Sequence, residues 1–127
     1  MQKQYRLTQN SSFNYIYKRG KSVSAASMIL YRVPAHNLKV GITVGKKVGN
    51  SVVRSRVKRR IKERFRLLIP MIDNNYNYVI VAKKECAELK SEEINKTLIY
   101  LLKKAGVLSE EEVTIDQIPL QESDTVL

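Results

Sequence analysis

Hydrophobic and polar positions change period several times along this chain, and each change marks an element. After a basic, irregular start over residues 1–7, Phe13, Ile16 and Tyr17 recur at helical spacing, with Tyr15 off their line. This spacing predicts a short helix capped by Thr8 or Ser11, running to about Arg19 and closed by Gly20 as a left-handed stop. From Lys21 to Gly45 the period falls to two. Residues 22–26 make a weak strand of small side chains, residues 28–33 (MILYRV) a strong one ended by Pro34, and residues 39–45 (KVGITVG) a third, with a turn at His36 and Asn37. The three read as a meander. Within the second, alternation sends Met28, Leu30 and Arg32 to one face and Ile29, Tyr31 and Val33 to the other, which makes Tyr31 a candidate for an open sheet face.

Helical period then returns. Val53, Val57, Ile61 and Leu68 fall on one stripe of a helix that Asn50 or Ser51 can cap and that ends by about Ile69, ahead of Pro70. Arg64 lies inside that stripe; its long stem can snorkel outward, and the pattern leaves its placement open. Residues 76–82 (YNYVIVA) form the best strand of the chain. Because a helix separates it from the strand at residues 39–45, the pair reads as a β-α-β crossover with parallel strands. A last helix starts at Ser91, with Glu92 and Glu93 in its first turn and Lys103 and Lys104 in its last, as the helix dipole favours. It buries Ile94, Leu98, Leu101 and Leu102 and ends at Gly106. The expected fold is therefore α+β: one domain over residues 1–106, helix-strand-strand-strand-helix-strand-helix, a small mixed sheet packed by helices. Residues 107–127 hold six acids and no base, an acidic tail expected to be poorly ordered or loosely docked.

Composition sharpens this picture in two places. The single cysteine, Cys86, can form no internal disulfide, and one histidine adds no metal cluster, so a reducing, cytoplasmic setting is expected. No apolar run suggests a signal peptide or a membrane span. Charge matters more: residues 1–72 carry 17 Lys and Arg against one acid, whereas residues 73–127 carry 6 Lys against 11 acids. Eight bases crowd the thirteen positions from Arg54 to Arg66, opposed only by Glu63. A helix this positive, held by an apolar stripe, calls for a polyanionic partner whose binding releases counterions. Phe13 and Tyr17 are either ordinary core or the border of a groove for unstacked bases. No acid pair, histidine dyad or Gly-rich phosphate loop stands out, since Gly41, Gly45 and Gly49 fit no nucleotide fingerprint. Bond breaking by this chain itself is thus not expected. On these grounds an RNA-binding module, ribosomal or otherwise, suits the residues as well as a subunit of an RNA enzyme does; a DNA-groove helix suits them less, lacking a helix-turn-helix pair.

The order of motifs narrows the choice. Lys46-Lys47-Val48-Gly49-Asn50 before Arg54-Ser55-Arg56-Val57-Lys58-Arg59, Tyr5-Arg6-Leu7 before an aromatic helix and Gly20, and the strand at 28–32 with Tyr31 together resemble the protein subunit of bacterial ribonuclease P. The resemblance covers about residues 5–105. It implies a left-handed crossover and a fold like the second domain of ribosomal protein S5, although right-handed crossovers are the general rule. It further implies that a partner RNA cleaves precursor transfer RNA with magnesium ions, which this chain does not itself bind, and that no membrane or obligate protein partner is needed. Lys46, Lys47, Asn50, Arg54, Ser55, Arg56, Lys58, Arg59 and Lys62 would face that RNA, and Phe13, Tyr17 and Tyr31 would receive the single-stranded 5′ leader. Ser55 stands where the family has Asn, a hydroxyl in place of an amide.

Overall fold

The computed structural model describes residues 3–108. Its regular elements follow the expected order: α1 (Asn10–Arg19), β1 (Lys21–Ser24), β2 (Met28–Pro34), β3 (Lys39–Val44), α2 (Ser51–Leu68), β4 (Tyr76–Ala82) and α3 (Ser91–Lys104). The sheet, however, is no meander. Its strand order is β1-β2-β4-β3, so β4 inserts between β2 and β3. β4 runs antiparallel to β2, with Tyr31 opposite Val79, and parallel to β3, with Gly41 opposite Val79. The parallel pair follows from α2, which carries the chain back along the sheet before β4 begins. As the most apolar strand, β4 takes the central position, where both its faces are covered.

Each sheet face meets its own helices. On one side, Met28, Leu30, Val40, Ile42, Tyr78, Ile80 and Ala82 join the buried stripes of α2 and α3 in the main core. There Val57, Ile61, Phe65 and Leu68 of α2 are at most 1% exposed. Burial of side chains this size is worth about 1.5–3 kcal/mol each before entropy is subtracted, enough to hold a helix that repels itself. On the other side a smaller core gathers Leu7, Ile16, Val33 and Val79, flanked by Phe13, Tyr31 and Val81.

Three local expectations change. The N-cap of α1 is Gln9, without a side-chain bond, so neither Thr8 nor Ser11 serves. Gly20 is extended, φ −76° and ψ 159°, rather than left-handed. What requires glycine there is proximity, because a Cβ would stand 2.6 Å from the Ile16 carbonyl oxygen and 2.8 Å from that of Arg32. The acidic tail also begins later than expected. Val107 and Leu108 are buried, Leu108 bridges Ile72, and the Asp73 N–H donates to the Val107 carbonyl at 2.9 Å. The rest of the tail, residues 109–127, lies outside the described residues.

Candidate RNA interface

The basic helix is aimed by the loop in front of it. Asn50 caps α2, its Oδ1 accepting the Val53 N–H at 2.9 Å. Val48 is buried as a plug while its neighbours Lys46 and Lys47 stay exposed. Gly49 takes φ +157°, and a Cβ there would stand 2.8 Å from Val53 Cγ1, so the loop closes onto α2 only with glycine. Two lysines are thereby held at the head of the helix.

The eight bases of α2 are not equivalent. Lys58, Arg59 and Arg66 are exposed, as is the serine Ser55, whereas Arg54, Arg56, Arg60, Lys62 and Arg64 are half-buried. Arg54 Nε donates to the Gly49 carbonyl at 3.2 Å, bracing the loop, and Arg60 Nη1 donates to the Leu89 carbonyl at 3.1 Å, tying α2 to the segment before α3. Arg64, inside the apolar stripe, is half-buried, and its Nε and Nη1 lie out of reach of water. Arg56 Nε is likewise buried, with no hydrogen bond among the described residues. Sequence counts eight charges; the fold commits several of them to itself.

The aromatic residues meet on the opposite side of the sheet. Tyr17 and Tyr31 pack edge to face at 5.1 Å, and Phe13 lies 6.4 Å from Tyr17. Tyr17 Oη also shares a hydrogen bond with Thr43 Oγ1 at 3.0 Å, which pins the ring over β3. A side chain at Gly41 would overlap the Phe13 ring, so glycine at mid-strand is what lets α1 sit this close. Register lines up Ser24, Ile29, Val81 and Thr43 across all four strands, none of them fully buried. These form a sheet floor beside Tyr17 and Tyr31. Phe13 is half-buried against the smaller core, while Tyr17 is 37% exposed.

The two regions communicate. A hollow of about 300 Å³ is lined by Arg6, Phe13 and Gly41 on the aromatic side and by Ile42, Lys58 and Lys62 on the α2 side. A second, of about 540 Å³, continues past Phe13 to Asn14, Tyr17 and Thr43. Arg6 and Thr43 were not legible as site residues, since a lone base in an irregular start and one threonine in a strand carry no pattern. Elsewhere, burial pushes the Cys86 thiol up to about 11, only partly offset by the nearby Arg60 charge, which leaves a thiol of low reactivity.

Against known proteins, the ribonuclease P family model matches residues 1–106. The chain belongs to the ribonuclease P protein family. Two Bacillus cereus ribonuclease P protein components, from strains Q1 and AH187, are each 36% identical over 110 residues, covering 84% of this chain and 96% of the relative. The solved ribonuclease P protein of Staphylococcus aureus superposes with a TM-score of 0.76 at 30% identity, covering 83% of this chain and 98% of that one. That of Thermotoga maritima gives 0.71 at 25% identity, over 78% and 96%. Ribonuclease P is the endoribonuclease that processes the 5′ end of transfer RNA, and this family supplies its protein subunit, working with an RNA partner in a ribonucleoprotein. The family match ends at residue 106, where the glycine after α3 takes φ +78°.

Proposed function

We propose that the two regions divide the RNA contacts of ribonuclease P between them. The α2 side, with Lys46, Lys47, Arg56, Lys58, Arg59 and Lys62, engages the folded catalytic RNA. Asn50 and Arg54 hold that surface in shape, and Ser55 adds one exposed hydroxyl. Phe13, Tyr17 and Tyr31, over the sheet floor, receive the single-stranded leader of precursor transfer RNA. A rigid row of cations suits phosphates fixed by RNA folding, whereas rings suit a strand whose sequence varies. The observation that carries this reading is the groove between Phe13 and the Lys58–Lys62 edge, along which one RNA substrate can touch both regions. The magnesium ions of the reaction are held by the RNA, and the bond is broken there. A buried free thiol at Cys86 fits a reducing cytoplasm.

The test is reconstitution with a bacterial ribonuclease P RNA. Adding this protein at low magnesium should raise cleavage of precursor transfer RNA above the rate of the RNA alone. No gain at any protein concentration would overturn the reading.

A further inference from the structure

At the end of the sheet where β3 begins lies a cup that neither region uses. It holds about 400 Å³ and is lined by Gln4, Tyr5, His36, Asn37, Leu38, Lys39 and Asn74, none of which lines the groove described above. Its base is apolar and held: Leu38 is buried, and the half-buried Tyr5 packs on the main core. Its rim is polar and exposed, yet mounted on braced backbone. The Asp73 carbonyl accepts the Tyr78 hydroxyl at 2.7 Å, Asp73 Oδ1 accepts the Asn75 N–H at 2.8 Å, and the Asn75 carbonyl accepts the Ala35 N–H at 2.9 Å. These bonds clamp the turn carrying Asn74 against the turn carrying His36 and Asn37. The three side chains themselves have no partner among the described residues. The backbone of both turns is thus held in place, and their exposed amides and imidazole present open donors and acceptors to solvent.

We propose that this cup seats one unstacked nucleotide of an RNA strand. The volume falls in the range of small-ligand sites, about 300–1,000 Å³. Tyr5 and His36 offer rings for a base to lie on, the Asn37 and Asn74 amides can meet its hydrogen-bonding edge, and Lys39 can meet its phosphate. Among the described residues no acid lines the cup, and the Asp73 carboxylate beside Asn74 accepts the Asn75 N–H. The proposal rests on this protein being the ribonuclease P subunit. The nucleotide can come from the catalytic RNA or from precursor transfer RNA, since Arg6 next to Tyr5 lines the groove where both would pass.

Two experiments on the full chain decide it. The first replaces His36, Asn37 and Asn74 together by Ala and measures affinity for ribonuclease P RNA and for its complex with precursor transfer RNA across salt concentrations. Loss of a base contact should weaken one of these by about tenfold with the salt slope unchanged, because no phosphate contact is removed. The second carries a photoreactive group at Asn37→Cys. The native Cys86 is 1% exposed and escapes labelling, and Tyr100→Cys on the outer side of α3 serves as control. Cross-links from position 37 should map to one unpaired nucleotide, and which RNA carries it identifies the source. If the native protein stimulates cleavage but the triple variant binds as tightly as it does, or the cross-links scatter over paired regions, the cup is not a nucleotide site. If the native protein fails to stimulate cleavage, the functional reading fails first and this one with it.

Discussion

The helix that carries the charge and the helix that carries the rings are held in opposite ways. α2 has a side-chain cap at Asn50 and four fully buried residues on a two-helix core; α1 has no cap and buries only Ile16 completely. The cost of self-repulsion explains α2, since eight crowded bases stay helical only on a deep apolar stripe. α1 repels itself less and settles on a small core through Phe13 and Ile16. Local stability follows buried contact, so the aromatic wall should open at lower free energy than the basic platform. On the proposed division, a platform for folded RNA would gain from rigidity and a wall for strands of varied sequence from give.

Breaking the main-core anchor of the basic helix should have the largest effect. Ile61→Ala empties a 0%-exposed site beneath α2 and should cost about 2–5 kcal/mol in denaturant unfolding, lowering RNA assembly and leader discrimination together. Gly41→Ala separates the regions. The added methyl must displace the Phe13 ring, at about 1–3 kcal/mol, and should blunt the preference for long-leader precursor over mature transfer RNA while affinity for the catalytic RNA holds; equal loss of both would contradict the division. Asn50→Ala removes the cap of α2, for about 1 kcal/mol of stability, and should loosen the Lys46-Lys47 loop enough to raise its amide exchange without touching exchange in α1. The smallest change in stability is expected from Arg59→Ala, within about 0.5 kcal/mol, because the side chain is exposed. Its signature is electrostatic instead, a salt dependence of RNA binding shallower by close to one phosphate contact.

Much of this protein was legible locally. Period-two and period-3.6 patterns located seven elements to within two residues, because exposure alternates with backbone geometry whatever the partner. Charge density marked α2 as the candidate polyanion-binding element. The aromatic trio was legible only as candidates, and became a cluster once β3 ran beneath α1 and placed Gly41 and Thr43 under Phe13 and Tyr17.

What the sequence alone determined, then, was which residues turn inward, where helices and strands begin and stop, and that a strongly positive helix needs a phosphate-rich partner. Only the tertiary structure decided that β4 enters between β2 and β3, that Arg54 and Arg60 spend hydrogen bonds on carbonyls of the chain itself, that two of the Arg64 guanidinium nitrogens are buried, and that Val107 and Leu108 close the core. The physical reason is one of range. Periodicity reports that a side chain will be buried, but the identity of what buries it depends on strands and loops tens of residues away, and burial free energy, being non-directional, leaves that choice to the packing of the whole.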